Sequence, residues 1–451
     1  MSIFRAYDVR GLFPQEITPE VVMRIGAAFV KYTGAKTVAV GRDMRPSGEV
    51  LFPMLCVGIM SAGAKVVDVG LVSTPLFYFS VINYDEHDAG IMITASHNPA
   101  EYNGLKFLRG DGSPIGGDSG LPEIEKMVGE MTDMDSVRLR NDSLKADVQT
   151  KEVMDDYMSS LFSKVAVDDI SPLRVVVDAG NGMGGHVAPK IFEKLPTHMT
   201  PMYFELDGTF PNHEANPIKP ENMEDLQDMV LSSHADVGFA YDGDADRVGM
   251  VDERGSIVSG DIITALLARA LLQDHPGARI LYDLRSSKSV GETIAKRGGE
   301  SAITRVGHAF IKKQMREENA LFAGEVSGHY YFQEFNYLDV SDYALLLLLR
   351  MISKDGRPLS EIVAEVVHYS HSGEINFDVK DKQAVIDRLI ATYKDKAEKF
   401  SDMDGVLFDF GDWWFNVRPS NTEPILRLNL EAKDDAMMEE KKAEVVAIIS
   451  S

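Results

Sequence analysis

The sequence predicts an α/β protein that repeats one strand–helix rhythm along most of its length and closes with a smaller α+β domain. Three observations predict it. Short β-branched runs alternate with helix-length segments as far as about residue 370, as βαβ units around mixed, mostly parallel sheets require. These runs end in polar or glycine-rich loops, the places where open α/β sheets hold ligands. From about Gly373 the rhythm changes to strand, long helix, several strands and a final helix.

In chain order, "KTVAV" (Lys36 to Val40), "KVVDVG" (Lys65 to Gly70) and "AGIMITA" (Ala89 to Ala95) read as the strands of a first unit. A charged stretch near Arg138 to Thr150 and the helix after it separate that unit from a second, whose strands are "LRVVVDAGNGMGG" (Leu173 to Gly185) and "ADVGFAYDGDADR" (Ala235 to Arg247). A third unit opens after Val251, with "SGD" (Ser259 to Asp261) capping a helix, and contains "ARILYDL" (Ala278 to Leu284) and "ESAITRVGH" (Glu300 to His308). "YALLLLLRM" (Tyr343 to Met351) is too short to cross a bilayer and reads as a buried helix. The expected limits are 1–148, 149–250, 251–370 and 371–451.

At 451 residues the chain requires several cores, and 44% apolar with 26% charged residues is ordinary globular composition. The single cysteine, Cys56, excludes an intramolecular disulfide framework and any multi-cysteine zinc site, and fits a cytoplasmic protein. "MSIFRAYDVRG" lacks the pattern of a signal peptide, so no membrane association is expected. A net charge of −24 argues against nucleic acid as a partner, because that affinity rests on neutralising phosphates with cations. A small phosphorylated ligand would need a local cluster of donors inside this repelling field.

Four loops carry chemistry. "TASHNPAEYNG" (Thr94 to Gly104) tempts a Ser-His-Asn reading, but consecutive side chains in an extended turn diverge, so Ser96 needs another means of activation; a plain turn is the alternative. "DGDADR" places Asp242, Asp244 and Asp246 directly after an apolar strand, three oxygen donors suited to Mg²⁺ or Ca²⁺. It is not an EF-hand, since Arg247 stands where the sharp turn wants glycine and a strand precedes it. "AGEVSGHYY" (Ala323 to Tyr331) sets a carboxylate, a hydroxyl and an imidazole between glycines, suited to sugar hydroxyls. "NVRPSNTEPILRL" (Asn416 to Leu428) gathers donors able to surround a phosphate, or forms a polar hairpin.

Together the four loops closely resemble the α-D-phosphohexomutases, and they occur in that family's order over nearly the whole chain. "FRAYDVRG" (Phe4 to Gly11) and "GRD" (Gly41 to Asp43) resemble the family's opening. The resemblance implies three related α/β domains and a fourth around a central active-site cleft. It implies that Ser96 is held as phosphoserine, and that Mg²⁺ is bound by Asp242, Asp244, Asp246 and a phosphate oxygen on Ser96. Arg10, Lys106 and His329 become candidates for proton handling, with His97 in support. Substrate would meet Tyr7, Arg247, Arg285, His308, Glu325, Ser327, His329, Arg418, Ser420, Asn421 and Thr422. The implied reaction interconverts hexose 1-phosphate and 6-phosphate through a bisphosphorylated sugar, with hexose 1,6-bisphosphate as activator. Val326 after "GE" resembles the phosphomannomutase/phosphoglucomutase branch, because the phosphoglucosamine branch usually has glutamine there. Arg285, Pro419 and Glu423 depart from the family's usual residues. A metal-dependent sugar phosphatase and a non-catalytic phosphosugar-binding protein are the rival readings.

Overall fold

A computed structural model describes residues 2–132, 148–419 and 425–450; much of the expected charged boundary, and Ser420, Asn421 and Thr422, lie outside the described residues. The first sheet contains β1 (Val9–Leu12), β2 (Thr37–Arg42), β3 (Lys65–Leu71), β4 (Ala89–Ile93), β5 (Tyr102–Arg109) and β6 (Gln149–Thr150), in the order β1-β5-β4-β2-β3-β6. The second contains β7 (Arg174–Asp178), β8 (His198–Met202), β9 (Val237–Tyr241), β10 (Val248–Asp252) and β11 (Ile257–Val258), ordered β11-β10-β9-β7-β8. The third contains β12 (Arg279–Asp283), β13 (Glu300–Thr304), β14 (Phe322–Gly324), β15 (Tyr330–Phe332) and β16 (Leu338–Asp339), ordered β13-β12-β14-β15-β16.

The recurrence in the sequence is a recurrence of topology. In each sheet a central strand pairs in parallel with two neighbours: β2 with β3 and β4, β7 with β8 and β9, β12 with β13 and β14. The chain then turns back antiparallel, β5 on β4, β10 on β9 and β15 on β14. Parallel neighbours need long helical crossovers, whereas the antiparallel return needs only a short loop. Edge strands β6 and β11 follow residues 148 and 250, so each of those expected limits stops short of the last strand of its sheet.

The C-terminal domain differs, as its rhythm predicts. Strands β17 (Ser370–His371), β18 (Ile375–Asp378), β19 (Lys399–Ser401), β20 (Val406–Asp409), β21 (Trp413–Pro419) and β22 (Ile425–Ala432) form an antiparallel sheet with its own core, closed by helices Lys382–Tyr393 and Asp435–Ile449. Its link to the third domain is polar: Lys288 Nζ donates to Asp409 at 2.6 Å, while the Lys288 amide and Trp414 Nε1 both donate to Glu431 Oε1. One apolar core lies wholly within the first domain, and a larger one, which takes in first-domain residues such as Val67, Phe77 and Met92, runs on through the second and third.

The helix containing the leucine run, Ser341–Asp355, lies in that shared core, and its first turn reaches the second domain. Ser341 Oγ donates to the Ala245 carbonyl at 2.6 Å, and Asp342 accepts from Tyr157 at 2.7 Å and Tyr241 at 2.9 Å. Burial pushes the Asp342 carboxyl up to about 6, against the opposing pull of those two hydroxyls. A carboxyl raised on folding contributes its full stability below the unfolded pKa and loses it as pH rises through the folded one. The loss amounts to about 3 kcal/mol by pH 7. Asp342→Asn, which cannot ionise, should therefore gain in thermal midpoint relative to the parent as pH rises from 4 to 7.5. A constant offset across that range would refute the titration.

Candidate active site

Each chemistry-bearing loop follows the strand after which its sheet turns back. Residues 94–101 join β4 to β5, 242–247 join β9 to β10, and 325–329 join β14 to β15. These are equivalent turns of three related sheets, and of the stretch expected to clamp phosphate the described residues are the end of β21 and the start of β22. All four domains line one cleft of about 1320 Å³, which takes in Tyr7, Arg10, Ser96, His97, Lys106, Asp246, Arg247, Arg285, His308, Glu325, Ser327, His329 and Arg418.

Ser96 sits at φ 51°, in the left-handed region that a residue with a Cβ seldom enters. The turn is tight because the second domain presses on it: a Cβ added at Gly243 would come 2.5 Å from the Ser96 carbonyl oxygen. This bend brings His97 Nδ1 to 3.2 Å from Ser96 Oγ, so these two neighbours converge where divergence was expected. Asn98 turns away to accept from Arg10 at 2.7 Å, and no Ser-His-Asn chain forms. The Ser96 hydroxyl instead donates to Asp242 Oδ2 at 3.0 Å.

Asp242, Asp244 and Asp246 are buried, with carboxylate oxygens within 4.8 Å of one another. Burial, then the negative neighbours Asp246 and Asp244, push the Asp242 carboxyl well above its usual range. Burial acts the same way on Asp246, but Lys106, His329 and Arg247 outweigh it and hold that carboxyl well below. Asp244 Oδ2 accepts from Lys106 at 2.7 Å, Thr74 at 2.6 Å and Thr94 at 3.2 Å, whereas its buried Oδ1 has no hydrogen-bond partner. Three converging carboxylates with an unsatisfied oxygen fit a hard divalent cation.

Around them stands a ring of cations. Arg10 is paired with Asp8, and Lys106 reaches both Asp244 and Asp246. His329 lies between Asp246 and Glu325, each at 3.4 Å, with Ser327 Oγ at 3.0 Å. Burial and Arg247 oppose its charge, but the two carboxylates win and raise it to about 9. Burial, reinforced by nearby cations, keeps His97 and His308 well below the usual imidazole range.

In the loop from Glu325 to His329, burial tends to raise the Glu325 carboxyl, but His329, Arg285 and the Tyr331 hydroxyl bring it down to about 2. Arg285 grips Asp283 through Nε and Nη2, and Asp283 accepts the Val326 amide, so the loop rests on an ion pair. Tyr7 spans from the first domain, donating to the Val306 carbonyl and packing on His308. Arg418 is buried and contacts Glu374 at 3.4 Å, and among the described residues its Nε has no hydrogen-bond partner; Arg427, opposite it on β22, shares Glu374.

Thr74, Asp283, Glu374 and Arg427 join the site without having been expected from the sequence. Arg427 alternates with Asn429 on one face of β22, a signal present in the sequence; Thr74 lies 170 residues from Asp244 and has none. Ser259 starts its helix in extended conformation but makes no side-chain cap. Its hydroxyl turns to Asp261, which itself accepts the Ile262 and Ser287 amides.

Comparison with known proteins covers the whole chain. The α/β/α domains I, II and III and the C-terminal domain of phosphoglucomutase/phosphomannomutase match residues 1–133, 155–255, 259–369 and 374–448. A phosphomannomutase of Salmonella montevideo is 37% identical over 458 residues, covering 100% of this chain and 99% of its own. A phosphomannomutase of Methanocaldococcus jannaschii is 36% identical, covering 100% and 98%. The crystal structure of a phosphoglucomutase/phosphomannomutase family protein from Burkholderia thailandensis superposes with a TM-score of 0.87 at 32% identity, covering 99% of this chain and 96% of that one. With every domain matched in order and the sheets and loops arranged as described, this chain belongs to the phosphoglucomutase/phosphomannomutase family.

Proposed function

We propose that this protein is a phosphohexomutase that interconverts the 1-phosphate and 6-phosphate of mannose, glucose or both, through a phosphoserine at Ser96 and a bisphosphorylated sugar. The observation that carries the reading is the convergence of Ser96, Asp246, the Glu325–His329 loop and Arg418 on one cleft lined by all four domains, with Asp242 and Asp244 buried beside Ser96 and Asp246. Phosphoryl transfer needs little covalent chemistry from a protein beyond positioning and charge stabilisation, and this cleft supplies both.

In the forward half-reaction the bond from phosphorus to Ser96 Oγ breaks and a bond to the free sugar hydroxyl forms. The sugar hydroxyl gives up its proton and the departing Ser96 Oγ takes one up; Arg10, Lys106 and His329 are the candidates for handling these protons, with His97 in support. The bisphosphate turns, and its other phosphate returns to Ser96 Oγ. Asp242, Asp244 and Asp246, with a phosphoryl oxygen on Ser96, are the residues to hold Mg²⁺, which when bound draws charge from the transferring group. Glu325 and Ser327 grip the hydroxyls at carbons three and four, near the middle of the sugar and reachable in both orientations. Arg418 holds the phosphate that is not being transferred, together with Tyr7, Arg247, Arg285 and His308 along the cleft. Priming of an unphosphorylated Ser96 falls to hexose 1,6-bisphosphate, and the site of action is cytoplasmic.

Relatives named phosphomannomutase support this branch over a phosphoglucosamine mutase. The test is a coupled assay of mannose, glucose and glucosamine 1-phosphates with trace glucose 1,6-bisphosphate. The first two should turn over well and glucosamine 1-phosphate poorly. Preference for glucosamine would overturn the branch, net phosphate release would identify a phosphatase, and binding without turnover would leave only a phosphosugar-binding protein.

A further inference from the structure

Arg45 lies two residues past the "GRD" stretch and has no substrate to meet, because its side chain is wholly enclosed. Its guanidinium collects four carbonyl oxygens, three from one loop and one from the first residue of β5. Nη1 donates to Pro99 at 2.8 Å and Tyr102 at 3.0 Å; Nη2 donates to Ser96 at 2.9 Å and to Asn98. Asp43 orients the arginine, accepting its amide at 3.0 Å and standing 3.3 Å from Nε. The second domain closes over it: the Phe210 ring lies 5.1 Å from the guanidinium carbon, and a Cβ at Gly208 would come within 2.6 Å of the Arg45 Cα.

Carbonyl dipoles aimed at one point repel each other unless a cation with several directed donors stands there, and a planar guanidinium provides that fork where an ammonium does not. A left-handed backbone at a residue with a Cβ persists only where its surroundings over-determine it. At Ser96 the surroundings are the arginine holding its carbonyl and Gly243 pressing from the second domain. We propose that Arg45 is a positioning residue for phosphoryl transfer, acting through the loop backbone to aim Ser96 Oγ at the aspartates. The proposal rests on the reading of Ser96 as the phosphate carrier.

The test mixes full-length, dephosphorylated enzyme with glucose 1,6-bisphosphate and Mg²⁺ and follows phosphate uptake on Ser96 by quenched-flow intact mass. Arg45→Lys keeps the charge and loses the fork. It should slow uptake and kcat by about 100-fold, as a small misplacement of a reacting group does. Its KM for mannose 1-phosphate should stay within about threefold, because Glu325, Ser327 and Arg418 are untouched. A parent that takes up no phosphate would refute the phosphoserine reading itself. A parent that does, beside an Arg45→Lys enzyme equally fast, or one whose melting temperature alone falls, would overturn the role given to Arg45. Should Arg45→Lys fail to fold, Asp43→Asn keeps the arginine and removes its orienting carboxylate. It should slow uptake at least about fivefold with KM unchanged, and an unchanged rate would overturn the proposal equally.

Discussion

Replacing Ser96 by alanine should lower turnover by about 10⁴-fold or more, on the scale of losing a covalent catalytic group. Among the described residues no other hydroxyl takes its place at Asp242. The Thr74 and Thr94 hydroxyls both donate to Asp244 Oδ2, whereas Ser96 Oγ faces Asp242 from within the cleft. The fold should survive, because the side chain contributes one hydrogen bond to a carboxylate and one contact with His97, and the loop is held through its carbonyls. A change of about 1 kcal/mol is expected for such a loss. Intact mass of the active parent should show one phosphate, mapping to Ser96, and none on the variant. Full activity in the alanine enzyme would end the phosphoserine mechanism.

Asp244→Asn should depress kcat by about 10² to 10³-fold while leaving ground-state sugar binding nearly unchanged, since a metal held there acts on the transferring group. Asparagine keeps the shape and an acceptor for Thr74 and Lys106, but removes one of three carboxyl groups crowded within 4.8 Å. Affinity for Mn²⁺, followed by its paramagnetic resonance signal, should fall at least about tenfold. In chelator the variant should melt no lower than the parent, because the crowding that pushes Asp242 up is relieved. Parent activity that resists exhaustive chelation would refute the three-aspartate site.

The strands and the loops are legible in the sequence for a local reason. Runs such as Ala89–Ile93 and Val237–Tyr241 are buried along their whole length, so a continuous apolar pattern marks them, and the polar residues that follow stand out against it. The four-loop order was legible because each loop keeps its chemistry within a few consecutive residues. Antiparallel edges were harder: β11 and β16 are two residues each, too short to show a period. The direction of His97 also escaped, because it depends on φ 51° at Ser96, set by a glycine almost 150 residues away.

By itself the sequence determined the repeated α/β class, the distinct C-terminal domain, the residue types in each loop, and hence the family. Only the tertiary structure decided that the three loops are the same turn of three related sheets, pointed into one cleft. It also decided which partners they acquire: Thr74 for Asp244, Arg45 for the Ser96 loop, and Tyr157 with Tyr241 for Asp342. The physical reason is one of range. Apolar periodicity and loop composition report the burial of a residue among its neighbours in sequence, whereas hydrogen-bond partners and charge environments depend on where the crossovers return the chain, and those returns span scores of residues.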